Sequence, residues 1–203
     1  MKSSDLLSQN KKQDRRVIRT KRNINSAFLE LVKQKELSKI TIKELCELAD
    51  INRKTFYTYF DSVSDVLSEL ENQIIGEFQK RIEKEKKKKP HLTVADIILC
   101  IGELLSANTD FVHQLVQVDA LEGLEKKVRY VIKAAMKDAM EQTNQHQSDS
   151  AGLALEYIIS GAVSMYIEWF STTNSLSLKG LTDMTVGLVK ANTNYMHTLC
   201  GGQ

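Results

Sequence analysis

The chain has a single proline, nine glycines and three cysteines among its 203 residues. This composition excludes a collagen-like or loop-rich protein and, with frequent leucine, isoleucine, alanine, glutamate and lysine, favours a mostly helical one. The cysteines are odd in number, widely spaced and without a Cys-x-x-Cys motif, which indicates a reducing compartment rather than a disulfide framework. The four histidines form no metal-binding motif, so we expect neither a metal site nor a cofactor.

Long apolar runs are missing as well. No stretch approaches the roughly 18–20 consecutive apolar residues of a membrane-spanning helix, and the first residues lack the apolar segment of a signal peptide. We therefore expect no membrane partner and a cytoplasmic location. The sequence also has no paired-carboxylate, Ser/His/Asp, glycine-loop or metal constellation. We therefore expect no enzymatic activity, and a helical enzyme with a basic N-terminal segment is an alternative that no motif supports.

Charge is divided unevenly along the chain. Residues 1–60 contain 14 lysines and arginines against 7 aspartates and glutamates, whereas residues 61–203 contain 14 against 19. A basic first third on a mildly acidic remainder indicates a polyanionic partner for the N-terminal part. Surface charge without any partner would give the same counts.

Hydrophobic periodicity of the helical kind runs along the chain, and no segment convincingly has the alternation of a strand. Residues 1–14 are polar and predicted to be a flexible basic arm. A first helix is predicted over residues 15–34, and a long fourth helix begins near Asp61. The fourth helix ends at the lysine run 86–89, which is either a solvated helix end or a separate binding site. Longer helices are predicted beyond Pro90.

Between these helices lies the pattern of two short helices joined by a turn. Thr41 is a good N-cap and forms a capping box with Glu44. The pattern breaks at residues 50–52, where Asn52 can cap a third helix that begins at Arg53. One interpretation is an ordinary helical hairpin with a solvated outer face. The other is a helix-turn-helix whose second helix enters a DNA groove.

The third helix separates its side chains by chemistry. At ~100° per residue, Phe56 and Phe60 face inward and anchor the helix. The remaining side chains offer cations, hydroxyls and phenols: Arg53, Lys54, Thr55, Tyr57, Thr58 and Tyr59. Beside the positive N-terminus of a helix, this chemistry suits phosphate groups and, in part, base edges.

The stretch TIKELCELADINRKTFYTYF, residues 41–60, resembles the helix-turn-helix of the TetR/AcrR family of bacterial transcription regulators. Threonine and isoleucine open the second helix, Ala49 matches the packing alanine before the turn, and TFYTYF matches the end of the recognition helix. The resemblance is specific over about residues 14–72. Beyond them it rests on length and helical content, with a weaker match of GAVSMYIEWF to the penultimate helix of one group of these regulators.

Three positions depart from the family's pattern. The family usually has glycine in the turn, where this chain has Asp50, which tolerates a left-handed conformation less well. A second common glycine, early in the recognition helix, is Lys54 here. A phosphate-contacting lysine at the start of the fourth helix is replaced by Val63. We expect the basic segment from Lys11 to Arg22 to compensate for that missing contact.

The resemblance implies an all-α fold with an N-terminal three-helix helix-turn-helix DNA-binding domain over residues 15–72. A C-terminal helical effector-binding and dimerisation domain covers residues 73–203. The implied function is a ligand-responsive repressor that binds a pseudo-palindromic double-stranded DNA operator as a homodimer and answers to an unknown small-molecule effector. A transcriptional activator, or a regulator controlled by a protein partner, is the alternative within the same fold.

The resemblance also assigns roles to individual side chains. Phosphate contacts are implied for three hydroxyl-bearing residues: Thr41, Tyr57 and Tyr59. Base or mixed contacts are implied for four others: Lys43, Arg53, Lys54 and Thr55. For the two tyrosines, ordinary half-buried packing is the alternative interpretation.

Two expectations concern the C-terminal domain. Methionine and aromatic side chains are candidates for lining a ligand-size cavity between residues 93 and 170: Phe111, Met136, Tyr157, Met165, Tyr166 and Trp169. Plain core packing would use the same residue types at the same spacing. The last two long helices have more apolar surface than a small domain covers, which predicts a two-fold interface. Its predicted residues are Leu153, Ile158, Ala162, Tyr166 and Phe170, with Met184, Leu188, Tyr195 and Leu199.

Overall fold

The computed structural model describes residues 3–89, 91–117, 120–142, 149–172 and 175–200. Within these ranges, residues 3–14, 139–142, 149–151 and 193–200 are described by their helical backbone alone. All regular elements in the described ranges are helical, which confirms the predicted all-α class.

The α-helices are numbered in chain order, and a short 3-10 helix (Leu37–Lys39) lies between the first two. They are α1 (Ser3–Val32), α2 (Ile42–Leu48), α3 (Arg53–Tyr57), α4 (Val63–Lys88), α5 (Val94–Ala107), α6 (Thr109–Gln117), α7 (Glu122–Gln142), α8 (Asp149–Ser171) and α9 (Leu178–Cys200). The chain divides into two compact units, and the division falls inside α4, between Glu71 and Asn72.

Helix α1 is longer than its apolar pattern predicts. It begins at Ser3, so residues 3–14, the described part of the segment predicted as a flexible basic arm, are helical. The segment contains neither proline nor glycine, and its leucine, glutamine and lysine residues are good helix formers. The helix therefore continues beyond the turns that bury apolar side chains.

The N-terminal unit has a core built from one face of α1 and the inner faces of α2, α3 and the start of α4. Its most buried side chains are fully or almost fully inaccessible to solvent: Ile24, Phe28, Leu45, Phe56 and Val66. Large aliphatic and aromatic side chains at helical spacing produce this core, because each amphipathic helix buries the one apolar stripe along its surface. The polar faces of these helices stay in water.

The C-terminal unit packs α9 against both α5 and α8 at its centre. Thr93 caps α5 as part of a second capping box, with the Asp96 backbone N–H donating to the Thr93 hydroxyl at 3.2 Å. Gly102 lets α5 and α9 approach closely, because a β-carbon at this position would overlap the side chain of Thr182. Ile98 and Leu104 of α5 are completely buried in the resulting core.

Candidate functional site

Helix α2 is held at its start by the predicted capping box. The Thr41 hydroxyl accepts from the Glu44 backbone N–H at 3.3 Å, and the Glu44 carboxylate accepts from the Thr41 backbone N–H at 3.0 Å. Lys35, which follows α1, donates to the other carboxylate oxygen of Glu44. The Lys35 hydrogen bond, followed by those from Thr41, lowers the pKa of Glu44 to about 2. The entry into α2 is therefore determined by local hydrogen bonds and by a contact to the end of α1.

The turn between α2 and α3 has a left-handed residue at the position where the family usually has glycine. Asp50 has a φ of 55°, and among the described residues it is the only non-glycine residue in that region. The turn is closed by the Ile51 backbone N–H, which donates to the Cys46 carbonyl at 3.0 Å. Asn52 then caps α3 by accepting from the Thr55 backbone N–H at 2.8 Å.

Asp50→Gly is expected to raise the free energy of unfolding of the N-terminal unit by about 0.5–1 kcal/mol, because glycine adopts a positive φ without a β-carbon clash. Asp50→Val should lower it by about 1–2 kcal/mol, since a β-branched side chain tolerates this conformation poorly. Urea unfolding followed by circular dichroism measures both. Equal stability of the glycine and valine variants would contradict the structure of this turn.

Helix α3 is anchored on one side only. Phe56 is 0% exposed and Phe60 is 5% exposed, and their ring centroids are 5.8 Å apart. Tyr57 is 54% exposed, and Tyr59 is half-buried. The predicted inward and outward faces of α3 are therefore the observed ones, and Tyr59 is a partial packing residue as well as a surface residue.

The threonines of α3 have their hydroxyl hydrogens engaged within the helix. The Thr55 hydroxyl donates to the Asn52 side-chain oxygen, and the Thr58 hydroxyl donates to the Lys54 carbonyl, both at 3.0 Å. Both can still accept a hydrogen bond, as from an exocyclic amine on a base edge, whereas donating to a phosphate requires rotation of the hydroxyl.

The cations of the predicted site differ in their availability. Lys43 lies 3.8 Å from Glu47 in a pair that is 65% exposed on both sides, and such exposed pairs contribute little. Arg53 and Lys54 are exposed, and no described side chain forms an ion pair with either. The N-terminus of α3 therefore presents two cations that have no counterion among the described side chains.

Two residues that position this site were not singled out from the sequence. The Asn23 side-chain amide of α1 lies 3.5 Å from the Ala49 carbonyl, directly before the turn. Lys21 forms an ion pair with Glu69 at 2.8 Å and lies 5.6 Å from the ring centroid of Phe60. Both contacts join residues distant in sequence, so no local pattern indicates them.

The C-terminal unit contains a small apolar cavity of about 60 Å³. Its wall includes Ile101, Leu104, Val112, Leu124, Tyr166 and Phe170. The Tyr166 hydroxyl is hydrogen-bonded to the Thr182 hydroxyl at 3.1 Å, and burial raises the pKa of Tyr166. A drug-sized ligand occupies a pocket of about 300–1,000 Å³, so this cavity is smaller than the ligand-size one predicted.

The six residues predicted to line an effector pocket are not brought together. Tyr166 contributes to the cavity wall, and Met136 is buried but does not border it. Tyr157 is 69% exposed, and Met165 lies with it in a groove between α8 and α9. Phe111 is half-buried and also does not border the cavity. The Trp169 indole N–H donates to the Leu176 carbonyl at 2.8 Å, which ties the end of α8 to the following loop.

Helices α8 and α9 expose several large apolar side chains, but not all of the predicted ones. Ile158, Ala162, Tyr166 and Phe170 are buried within the unit, so their assignment to an intersubunit surface is wrong. The exposed large side chains on the two helices are Leu153 (74%), Tyr157 (69%), Met184 (45%) and Leu188 (48%). The side chains of Tyr195 and Leu199 lie outside those described.

Glycines lie within the same exposed surface. Gly161 and Gly187 are exposed, and a β-carbon added at either would meet no atom within 4 Å.

Among the described residues, no cluster of His, Cys, Asp or Glu side chains could hold a metal ion. None of the described helical segments has the length and apolar character needed to cross a membrane.

The two short helices with a capped turn, packed on α1 and followed by a long helical unit, define a helix-turn-helix protein whose described regular elements are all helical. Solved structures of transcriptional regulators share this fold. One is a TetR transcriptional regulator from Streptococcus agalactiae 2603V, with a TM-score of 0.62 and 20% sequence identity, covering 87% of this chain and 97% of that chain. Another is the dihydroxyacetone kinase operon activator DhaS, with a TM-score of 0.54 and 21% identity, covering 85% of this chain and 94% of that one.

No protein-family model and no curated protein matches the chain. At 20–21% identity, the likeness to the solved structures establishes the fold. The predicted resemblance to TetR-type regulators is therefore confirmed at the level of the fold.

Proposed function

We propose that the chain is a sequence-specific DNA-binding transcriptional regulator, a cytoplasmic homodimer that represses by binding a pseudo-palindromic operator. The observation that carries this proposal is the outer surface of α3. Its anchors Phe56 and Phe60 are buried, while Arg53 and Lys54 remain exposed without a counterion among the described residues. A five-residue helix has little stability of its own. Its presence in the fold is therefore consistent with a role in which its outer surface faces a ligand.

The proposed ligand is the major groove of double-stranded DNA. That groove admits a helix, and the helix N-terminus with its cations favours phosphates and guanine acceptors. We assign phosphate contacts to Thr41, Tyr57 and Tyr59. Base or mixed contacts are assigned to the remaining members of the surface: Lys43, Arg53, Lys54, Thr55 and Thr58.

Selection of bound sequences from a random duplex library, followed by a gel shift, tests this function. We expect the selected fragments to share two inverted half-sites, whose centres lie about one helical turn or a multiple of it apart. The same assay separates a regulator from the alternative of a helical enzyme, because an enzyme of this composition would select no common sequence. Absence of enrichment after repeated rounds would contradict the proposal.

Lys54 and Tyr57 are expected to have different roles on DNA. Lys54→Ala should relax preference at one or two operator positions, at about 1–3 kcal/mol each, because its cation can reach guanine O6 and N7. Tyr57→Phe should weaken binding to every sequence alike, because it removes a hydroxyl that contacts phosphate. Binding to a panel of operator variants measures both effects.

Binding to the same panel of operator variants could also contradict these two assignments. If Lys54→Ala weakens all sequences equally and Tyr57→Phe alters base preference, the two assignments are reversed. Leu48→Ala is a suitable control, since Leu48 is exposed on α2 and has no assigned contact.

For the homodimer, we propose the surface defined by Leu153, Tyr157, Met184 and Leu188, which is apolar and exposed on α8 and α9. Exposed apolar surface of this kind marks an interface, and two-fold pairing is the commonest solution. The exposed Gly161 and Gly187 allow backbones to approach closely there. A dimer presents two copies of α3, as a pseudo-palindromic operator requires.

For regulation, we propose an effector that binds the C-terminal unit and shifts the population toward conformations that no longer fit the operator. The groove between α8 and α9 has a volume of about 450 Å³ and includes Tyr157 and Met165, whereas the apolar cavity of about 60 Å³ is far below the volume of a drug-sized ligand. Control by a protein partner is the alternative. Mass spectrometry of the protein purified under native conditions discriminates the two. A co-purifying metabolite supports a ligand, and a co-purifying protein supports a partner.

A further inference from the structure

Four arginines form one exposed face of α1. Arg15, Arg16, Arg19 and Arg22 are all exposed and lie within a sector of about 120° around the helix axis, at ~100° per residue. The buried side chains of α1, among them Phe28, occupy the opposite sector. We call the four residues the arginine ridge.

The arginine ridge differs from the lysines of the same unit in its ion pairing. Of the lysines in this unit whose side chains are described, all except Lys54 form ion pairs with glutamates: Lys21, Lys33, Lys35, Lys39 and Lys43. None of the ridge arginines forms an ion pair with a described side chain. Among the cations of this unit whose side chains are described, those without a described counterion are therefore the ridge and the two at the start of α3.

The ridge lies on the side of α1 that contacts the turn of the helix-turn-helix. The Asn23 side chain reaches the Ala49 carbonyl at 3.5 Å, four residues before α3 begins. Around the helix axis, Arg16 and Arg19 lie within about 40° of Asn23, at ~100° per residue. Since α1 continues to Ser3, the ridge follows the helix N-terminally from this contact.

We propose that the arginine ridge binds the phosphate backbone of DNA next to the segment contacted by α3. Guanidinium groups suit this ligand because each offers a planar fork of donors that can hold phosphate oxygens in a bidentate manner. Such contacts are independent of base sequence and add affinity rather than specificity. This inference rests on the proposed function and extends its interface to a second element.

The test compares Arg16→Gln/Arg19→Gln/Arg22→Gln with the wild-type chain. The probe is a duplex selected by the wild-type protein, alongside a scrambled duplex of equal length, each measured at several salt concentrations. The slope of log affinity against log salt should become less steep by up to about 2.7 per bound protomer, since each phosphate contact contributes about 0.9. Affinity near ~0.1 M salt should fall at least about tenfold on both duplexes, leaving their ratio unchanged.

Two further variants separate phosphate binding from other effects. The matched control Lys80→Gln/Lys84→Gln/Lys87→Gln removes the same charge from exposed residues of α4 and should retain the wild-type slope. Replacement of the three ridge arginines by lysine should restore most of the salt dependence, because the cations remain. Glutamine and lysine are good helix formers, so circular dichroism should report an unchanged helix content.

The inference is overturned if the ridge variant keeps the wild-type salt slope, or if the α4 control loses as much slope. It is also overturned if the ridge serves vesicles of anionic phospholipid and leaves DNA binding unaffected. A wild-type chain that binds neither duplex would overturn the proposed function itself, which is distinguishable because no ridge variant is needed to observe it.

Discussion

Phe56→Ala should lower the free energy of unfolding of the N-terminal unit by about 3–5 kcal/mol, the usual cost of removing a buried aromatic ring. Phe56 is completely buried, and its ring contacts those of Tyr57 and Phe60 at centroid distances of 5.7 and 5.8 Å. Domains are stable by only about 5–15 kcal/mol. A loss of this size should detach α3 and abolish DNA binding.

Denaturant unfolding and a gel shift measure the two consequences of Phe56→Ala. Leu48→Ala is the matched control, because Leu48 belongs to the neighbouring helix α2 and is 50% exposed. The free energy of unfolding of the Leu48→Ala control should fall by well under ~1 kcal/mol, as is usual for surface substitutions. If Phe56→Ala bound DNA like the wild-type chain, this would contradict the proposal that the buried Phe56 ring holds α3 in position for DNA binding.

Leu188→Glu should convert the proposed dimer into a monomer at micromolar concentration. A two-fold interface contains the substitution twice, so two carboxylates would be buried without partners on the same surface. Each buried unpaired charge costs about 2–5 kcal/mol, so the two together should raise the dimer dissociation constant by roughly a thousandfold or more. Sedimentation velocity over a concentration series measures this shift.

Leu99→Glu is the matched control for the interface. Leu99 lies on α5 and is 43% exposed, close to the 48% exposure of Leu188, but it is outside the surface proposed for dimerisation. We expect this variant to remain dimeric. A monomeric wild-type chain, or a control that dissociates as readily as Leu188→Glu, would contradict the proposed interface.

Features that depend on neighbouring residues could be predicted from the sequence. The capping box at Thr41 and the cap at Asn52 each need a side chain and a backbone amide three residues apart. The inner face of α3 follows from the spacing of Phe56 and Phe60. Periodicity and capping chemistry determine such features, because all interacting groups lie within one or two helical turns.

Features that depend on which helices meet could not be predicted. Helix α8 is apolar around most of its circumference, so periodicity did not reveal that Ile158 and Phe170 pack inside the unit while Tyr157 faces outward. The cavity wall is mainly aliphatic, whereas aromatic and methionine residues were the predicted lining. The contact of Asn23 with Ala49 spans 26 residues and leaves no local pattern.

The proposed dimer presents two copies of α3 to successive major grooves. Hydroxyl-radical footprinting on a selected duplex tests this most directly, with the wild-type chain and Leu188→Glu compared at equal protomer concentration. We expect two symmetric protected segments with centres about 34–36 Å apart for the wild-type chain, and much weaker protection for the variant. A single unpaired protected segment, or identical footprints from both proteins, would contradict the claim.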